Sequence, residues 1–378
     1  MTSVGIDLLW LVPGEVGGSE QSTVATVRGL LERVDDELDL QLFVLPGLAQ
    51  AHPDLVASTS SAVAPFDGSS RARRVLEQSR WLGPRTAALD VVHHAGGTVP
   101  PGGRRGRGPG IVLTLHDLQP LEASATHTRW KRAYLHHAVP RAVRRSARIA
   151  VPSEFVRTTV LERFPVAPER VVAIPHAVPL RPSSVPRDVL VERYRLTAPV
   201  VLYPAITYPH KEHATLLSAF ERVLARHPDA TLVLPGGVGG SEGEVRAQID
   251  GSEPLRAHVR RLGRIPEADV AGLLELADVV AVPSRYEGFG LPALEGMAAG
   301  TAVVAADATS LPEVVGDAGR LVPVGQPEAW ADAIGALLAD PHERDRLARA
   351  GHARAARYTA EANAGAFARL YREVAAEA

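Results

Sequence analysis

No cysteine occurs among the 378 residues, and lysine appears only as Lys131 and Lys211 within a total of 41 basic residues. The first absence removes disulfides, thiolate nucleophiles and cysteine-ligated zinc from consideration. The second makes arginine the default cation, so each lysine stands apart. No apolar run approaches the roughly 18 residues that a membrane span needs. The opening Met1-Thr-Ser-Val-Gly-Ile-Asp7 has no basic n-region and places an acid where a signal peptide would be apolar, so a cytoplasmic protein without a transmembrane span is expected. Charge of one sign is missing too: 41 basic residues against 43 acidic ones give a formal charge of −2. That balance argues against nucleic acid as a partner. Also absent are a Gly-x-Gly-x-x-Gly fingerprint after the first strand, a Gly-Lys-Ser/Thr phosphate loop, a Gly-x-Ser-x-Gly elbow and an Asp-x-Asp metal motif. Dehydrogenase, nucleoside triphosphatase and serine hydrolase chemistries lose their usual signatures together.

What is present reads as a globular α/β protein, 46% apolar and 22% charged. Its length exceeds what one hydrophobic core usually serves, so two domains are expected. Strand-like segments recur at Val4–Val12, Leu40–Leu45, Val91–His93, Ile111–Leu115, Ile149–Val151 and Val171–Ile174, then at Val200–Tyr203, Thr231–Leu234, Val279–Val282, Ala302–Ala306 and Arg320–Val322. Helical stretches lie between most of them, which predicts parallel sheets. The Pro- and Ser-rich Pro179–Pro186 interrupts the alternation as a linker. A final helix carries Phe367, Leu370, Tyr371 and Val374 on one stripe that needs a partner surface.

The most informative stretch is Ser284-Arg-Tyr-Glu287-Gly-Phe-Gly290-Leu-Pro292-Ala-Leu-Glu295. The spacing predicts a buried strand, a loop over Glu287–Gly290, and a short helix opening at Pro292 and closed by Gly300. Backbone N–H groups around Phe289, Gly290 and Leu291, with the positive end of the helix dipole, suit a diphosphate. The glycines let the backbone approach closely, and the two carboxylates can accept hydrogen bonds from the hydroxyls of a sugar and a ribose.

Other polar and glycine clusters also follow predicted strands: Gly17-Gly18, His94, His116-Asp117, His210-Lys211, Gly236-Gly237 and Arg264. Ligands in open α/β sheets bind at such strand ends. Lys211 offers a compact charge for a diphosphate, which without a bound metal must be neutralised by cations and helix-end amides. His116 closes a strand and can hydrogen-bond a hydroxyl or serve the core; His93 and His94 read as one core residue and one site residue. The segment Pro100–Gly110, with Arg104, Arg105 and Arg107, reads either as a solvated loop or as a contact for an acceptor phosphate or an anionic membrane surface.

These motifs resemble glycosyltransferase family 4: Gly17-Gly18-Ser19-Glu20, Thr114-Leu-His116-Asp117, Val151-Pro-Ser-Glu-Phe155, His210-Lys211, Leu262-Gly-Arg264, Glu287 to Glu295, and Ser310-Leu-Pro-Glu-Val-Val315. The resemblance implies a GT-B fold of two facing Rossmann-like domains with a deep interdomain cleft. It implies an acceptor-binding domain over 1–180 and a donor-binding domain over 187–360. A C-terminal helix, 361–378, would cross back to the first. The implied activity is retaining, metal-independent transfer of a hexose-type sugar from a nucleotide diphosphate sugar to an acceptor hydroxyl, with no cofactor. Wording such as His210-Lys-Glu-His213 is similar to mannose- or rhamnose-transferring relatives. Carried over, Glu287 contacts the donor sugar, Glu295 the ribose, Lys211 the diphosphate, and Gly288, Phe289, Gly290 and Leu291 the phosphate and sugar hydroxyls. His116 and Gly18 line the reaction centre, Gly17, Gly18 and Arg264 join the donor site, and His116, Lys211 and Glu287 are the catalytic candidates. His94 and Asp117 are acceptor-side candidates. An arginine common before the phosphate lysine is replaced here by Ala205-Ile-Thr207, leaving Arg264 or Arg285 to supply a second cation. A sugar-nucleotide epimerase or hydrolase, or a non-catalytic sugar-nucleotide-binding subunit, is the alternative on the same scaffold.

Overall fold

The computed structural model describes residues 1–14, 18–33, 38–69, 71–101, 108–122, 129–178 and 183–377. Gly17 and the Arg104, Arg105 and Arg107 cluster lie outside them. The chain divides into two compact units, Met1–Ala177 with Thr359–Ala378, and Val178–Tyr358.

In the first unit seven parallel strands, β1 Thr2–Asp7, β2 Leu38–Val44, β3 Ser60–Val63, β4 Val91–His94, β5 Gly110–Thr114, β6 Arg148–Val151 and β7 Val171–Ala173, run in the order β3-β2-β1-β4-β5-β6-β7. The expected first strand, Val4–Val12, is cut short at Asp7. The Asp7 carboxylate accepts the Leu9 N–H at 3.1 Å and Leu11 N–H turns back to the Leu8 carbonyl. Leu8, Leu9 and Leu11 stay buried in that turn, which is why the apolar run looked continuous. The terminal helix Ala360–Glu377 buries Phe367, Leu370, Tyr371 and Val374 in the core of this unit, beside Val4, Ile6 and Val91. Gly29 permits its close approach to the helix Gly18–Glu32: a Cβ there would lie 2.9 Å from the Ala360 carbonyl oxygen.

The second unit holds six parallel strands, β8 Val200–Leu202, β9 Thr231–Pro235, β10 Val259–Gly263, β11 Val279–Val282, β12 Ala302–Ala306 and β13 Arg320–Val322, ordered β10-β9-β8-β11-β12-β13. Every residue of β11 and β12 is buried, as expected where helices cover both faces of a parallel sheet. The helix His213–Leu224 contributes Leu216, Leu217, Phe220 and Leu224 to the core. Among the described residues no helix is long and apolar enough to cross a membrane.

Candidate active site

The loops following β8 to β12 all leave the carboxyl edge of one parallel sheet, where such folds present their ligand-binding groups. After β8 a short 3-10 turn, Pro209–Lys211, ends at Glu212 in the left-handed conformation, φ 54°. After β11 the chain runs through Ser284 to Gly290, which starts the helix Leu291–Ala298 at φ 101°. A side chain at Gly290 would be strained by that φ and would meet Leu311 at 2.7 Å, so glycine is required for the turn. Phe289 is buried with its ring edge-on to Tyr358, which anchors the loop while its backbone follows the sheet edge.

These two loops meet. Lys211 Nζ donates to Glu287 Oε1 at 2.6 Å, with both side chains largely buried. The Arg285 N–H donates to the His210 carbonyl at 2.8 Å, and the Arg285 guanidinium pairs with Glu212 at 2.6 Å. Tyr203, fully buried, brings its hydroxyl 3.1 Å from the Lys211 carbonyl and 2.7 Å from Ser284 Oγ. Burial holds that phenol well above its ordinary pKa, so it stays a neutral donor. A third loop closes from the far side: Thr309 Oγ1 accepts the Glu287 N–H at 3.1 Å, and Ser310 Oγ donates to the Glu287 carbonyl at 2.9 Å. Tyr203, Ser284, Thr309 and Ser310 were not singled out by sequence reasoning. Two of them stood inside the quoted motifs, but nothing in their spacing tells which backbone groups they bind.

Glu295 lies on the helix after this loop, half-buried and without a hydrogen-bond partner among the described residues. Burial first, and the nearby Glu267 carboxylate second, raise its pKa to about 7. Across the sheet edge, the Gly236-Gly237 loop is fixed from beneath by Arg261. That guanidinium donates to the carbonyls of Leu234, Gly236 and Gly237 and to Glu242. Gly236, φ 139°, leaves no room for a side chain: a Cβ would fall 2.1 Å from the Ala205 carbonyl oxygen. Arg264 is exposed, with its guanidinium against Gly237, where a Cβ would sit 3.1 Å from Nε. Among the described residues Arg264 has no hydrogen-bond or ion-pair partner, whereas Arg285 is held by Glu212. His210 is kept neutral by burial, with Lys211 adding to the effect, at a pKa of about 4.

In the first unit the candidates separate. His94 Nδ1 donates to Asp7 Oδ2 at 2.7 Å, and Gln78 donates to the same oxygen at 2.6 Å. All three are buried, so the bond from His94 Nδ1 ties β1, β4 and the helix Arg71–Thr86 together. His93 is equally interior, bonded to Thr114 at 2.7 Å and to the Tyr371 hydroxyl at 2.8 Å, and kept neutral by burial with a pKa of about 3. Both histidines are thus interior, His93 bonded through both ring nitrogens and His94 through Nδ1. His116 differs. Its Nε2–H donates to the Ala95 carbonyl at 3.1 Å, which leaves Nδ1 as a lone-pair acceptor with no partner. Burial lowers its pKa to about 4, partly offset by that carbonyl. Trp10 and His176 flank the ring at 5.6 and 5.5 Å, and the Trp10 indole N–H is likewise buried without a partner. Asp117 accepts the Gln119 N–H at 3.1 Å. Gly18 opens the helix Gly18–Glu32 and is exposed.

Two family descriptions match in tandem: "Glycosyltransferase Family 4" over residues 16–181 and "Glycosyl transferases group 1" over residues 191–354. The chain belongs to glycosyltransferase family 4. It is 38% identical over 174 residues to phosphatidyl-myo-inositol mannosyltransferase of Mycobacterium tuberculosis, covering 44% of this chain and 45% of that protein. It is 28% identical over 257 residues to the O-antigen chain mannosyltransferase B of Escherichia coli, covering 66% and 67%. The chain thus spans a little under half the length of the first curated relatives it matches. Among solved structures it is similar to sucrose-phosphate synthase of Thermosynechococcus elongatus, with TM-score 0.80, 21% identity and full coverage of both chains. It is also similar to Anabaena HepE in complex with UDP-glucose, with TM-score 0.77, 19% identity and coverage of 99% and 100%. These likenesses give the fold, GT-B.

Proposed function

We propose that this protein is a retaining, metal-independent glycosyltransferase that moves a hexose from a nucleotide diphosphate sugar to an acceptor hydroxyl. The observation that carries this reading is the Lys211–Glu287 pair, a cation and a carboxylate 2.6 Å apart beside the glycine-bounded start of a helix. One Nζ–H is taken by Glu287, and the other two remain to meet a diphosphate. The N-terminal turn of Leu291–Ala298 adds N–H groups that a helix cannot satisfy internally, next to a positive dipole end. Together they stabilise a departing nucleotide diphosphate. Arg264 rather than Arg285 supplies the second cation, because Arg285 is already paired with Glu212 while Arg264, against Gly237, has no partner among the described residues.

Glu287 accepts hydrogen bonds from the donor sugar and Glu295 from the ribose. The leaving phosphate oxygen takes the proton of the attacking hydroxyl on the same face of the sugar, which retains configuration without a covalent nucleophile or a cofactor. In the first unit, which this reading assigns to the acceptor, His116 Nδ1 accepts a hydrogen bond from a hydroxyl. Two relatives are named mannosyltransferases, which supports mannose as the transferred sugar.

The test is turnover of a panel of nucleotide sugars by Glu287→Gln and Lys211→Ala, each checked for folding by its melting curve. Both variants should lose at least about a hundredfold in turnover, comparable to removing an electrostatic stabiliser of the transition state. Unchanged turnover in a folded Glu287→Gln protein rejects the assignment.

A further inference from the structure

Three non-glycine residues carry positive φ among the described ones, Arg195, Glu212 and Thr309, and two of them, Glu212 and Thr309, border the Lys211–Glu287 pair. Thr309, at φ 55°, is the β-branched one, the type for which the left-handed region is most unfavourable. Strain of that kind persists only where the surroundings over-determine it, and it concentrates at functional sites. The surroundings of Thr309 are specific. Its Oγ1 accepts the Glu287 N–H, and the next residue, Ser310, fully buried, donates from Oγ to the Glu287 carbonyl. The peptide groups on both sides of the Glu287 Cα are thus held by two hydroxyls from one loop. A glycine–alanine turn would follow the same path without strain but would leave both groups unbound.

We infer that Thr309 and Ser310 are positioning residues, a two-hydroxyl clamp that fixes the Glu287 backbone so that its carboxylate stands against Lys211 and faces the donor sugar. The inference rests on the donor-site reading above for the last clause alone; the clamp itself is a property of the free protein. Anchoring the peptide on both sides fixes the point from which the Glu287 side chain starts, and the hydrogen bond from Lys211 fixes its carboxylate end, so less freedom is left to blur the carboxylate's place.

The experiment compares Thr309→Ser, Thr309→Ala and Thr309→Gly in the full chain, with UDP-glucose, UDP-N-acetylglucosamine and GDP-mannose as donors. Activity should follow the hydroxyl: kcat falls about tenfold to a hundredfold in both the alanine and the glycine variant, as for a slight misplacement of a reacting group, and most of it returns in the serine variant. KM should change less than kcat. Stability should follow φ instead, with Thr309→Gly melting above Thr309→Ala, because glycine alone accepts the left-handed conformation freely. Activity that follows the melting order, or an alanine variant within twofold of wild type, overturns the clamp. If a folded Glu287→Gln protein turns over donor at the wild-type rate, the proposed function fails. The clamp is then decided by a urea-unfolding cycle of Thr309→Ala and Glu287→Gln: shifts in midpoint that do not add support it, and additive shifts overturn it.

Discussion

The two units carry polar side chains at the same place, the carboxyl edge of a parallel sheet, and use them differently. In the first unit Asp7, Gln78 and His94 satisfy one another in the interior, and His93 is satisfied by Thr114 and Tyr371. In the second, Lys211 and Glu287 form a single pair held by Tyr203, Ser284, Thr309 and Ser310, while Glu295 and Arg264 have no partner among the described residues. A polar group whose bonding capacity is filled inside the protein contributes cohesion. One held rigidly with capacity to spare can act on a ligand. Position at a strand end therefore distinguishes nothing by itself; the count of satisfied bonds does.

The comparison breaks most visibly at Asp7. Replacing it with alanine leaves His94 and Gln78 buried without their acceptor, a loss on the order of 1–3 kcal/mol for each buried donor left unsatisfied. Urea unfolding should register that loss, while turnover per folded molecule stays at the wild-type level. A variant that is equally stable but inactive would place this cluster in the catalytic site and erase the contrast between the units.

His116 sharpens the contrast from within the first unit, since its Nδ1 is buried without a partner while both ring nitrogens of His93 are bonded. His116→Ala should lower turnover by about tenfold to a hundredfold, the scale of a lost hydrogen bond to a reacting group, and leave nucleotide affinity unaltered. Because burial holds its pKa at about 4, no step in the pH profile between pH 5 and 9 should belong to it. Calorimetric titration with UDP or GDP beside initial rates separates these outcomes; a loss of nucleotide affinity would move His116 to the donor side.

The reach of sequence reasoning follows the same physics. Interior strands such as β11 and β12 were legible because both faces are buried and the whole segment is apolar. The two strands that escaped notice, β3 with Ser60 and Ser61 and β10 with Arg260 and Arg261, are sheet edges, where polar residues are expected. The Glu287 loop stood out because glycine and proline mark backbone requirements in the one-dimensional string. Its clamp did not, because Thr309 and Ser310 act on Glu287, 22 and 23 residues away, through the hydroxyls of what look like ordinary turn residues. The Asp7–His94 bond was illegible for the matching reason: Asp7 lies 87 positions earlier, and only the β1–β4 pairing brings the two together.

The smallest expected effect concerns Glu295, which distinguishes a carboxylate reserved for a ligand from one spent on the fold. Its pKa of about 7 lies above the ordinary range of an unfolded chain, so between about pH 4.5 and 7 the folded state binds more protons than the unfolded one. Stability from this group is therefore fully present below that window and is lost as pH rises through 7. Glu295→Gln, which cannot ionise, should melt at or above the wild type at pH 8 and lose that advantage at pH 5.5. Ligand binding should run the other way. A ribose diol donating two hydrogen bonds prefers the ionised carboxylate, so nucleotide affinity of the wild type should improve by up to about tenfold from pH 6 to pH 8, with proton release on binding. The glutamine variant should show neither. Melting curves at three pH values and calorimetry in buffers of different ionisation enthalpy test both halves together. A wild-type affinity that is flat across this range would mean that Glu295, like Asp7, serves the fold instead of the ligand.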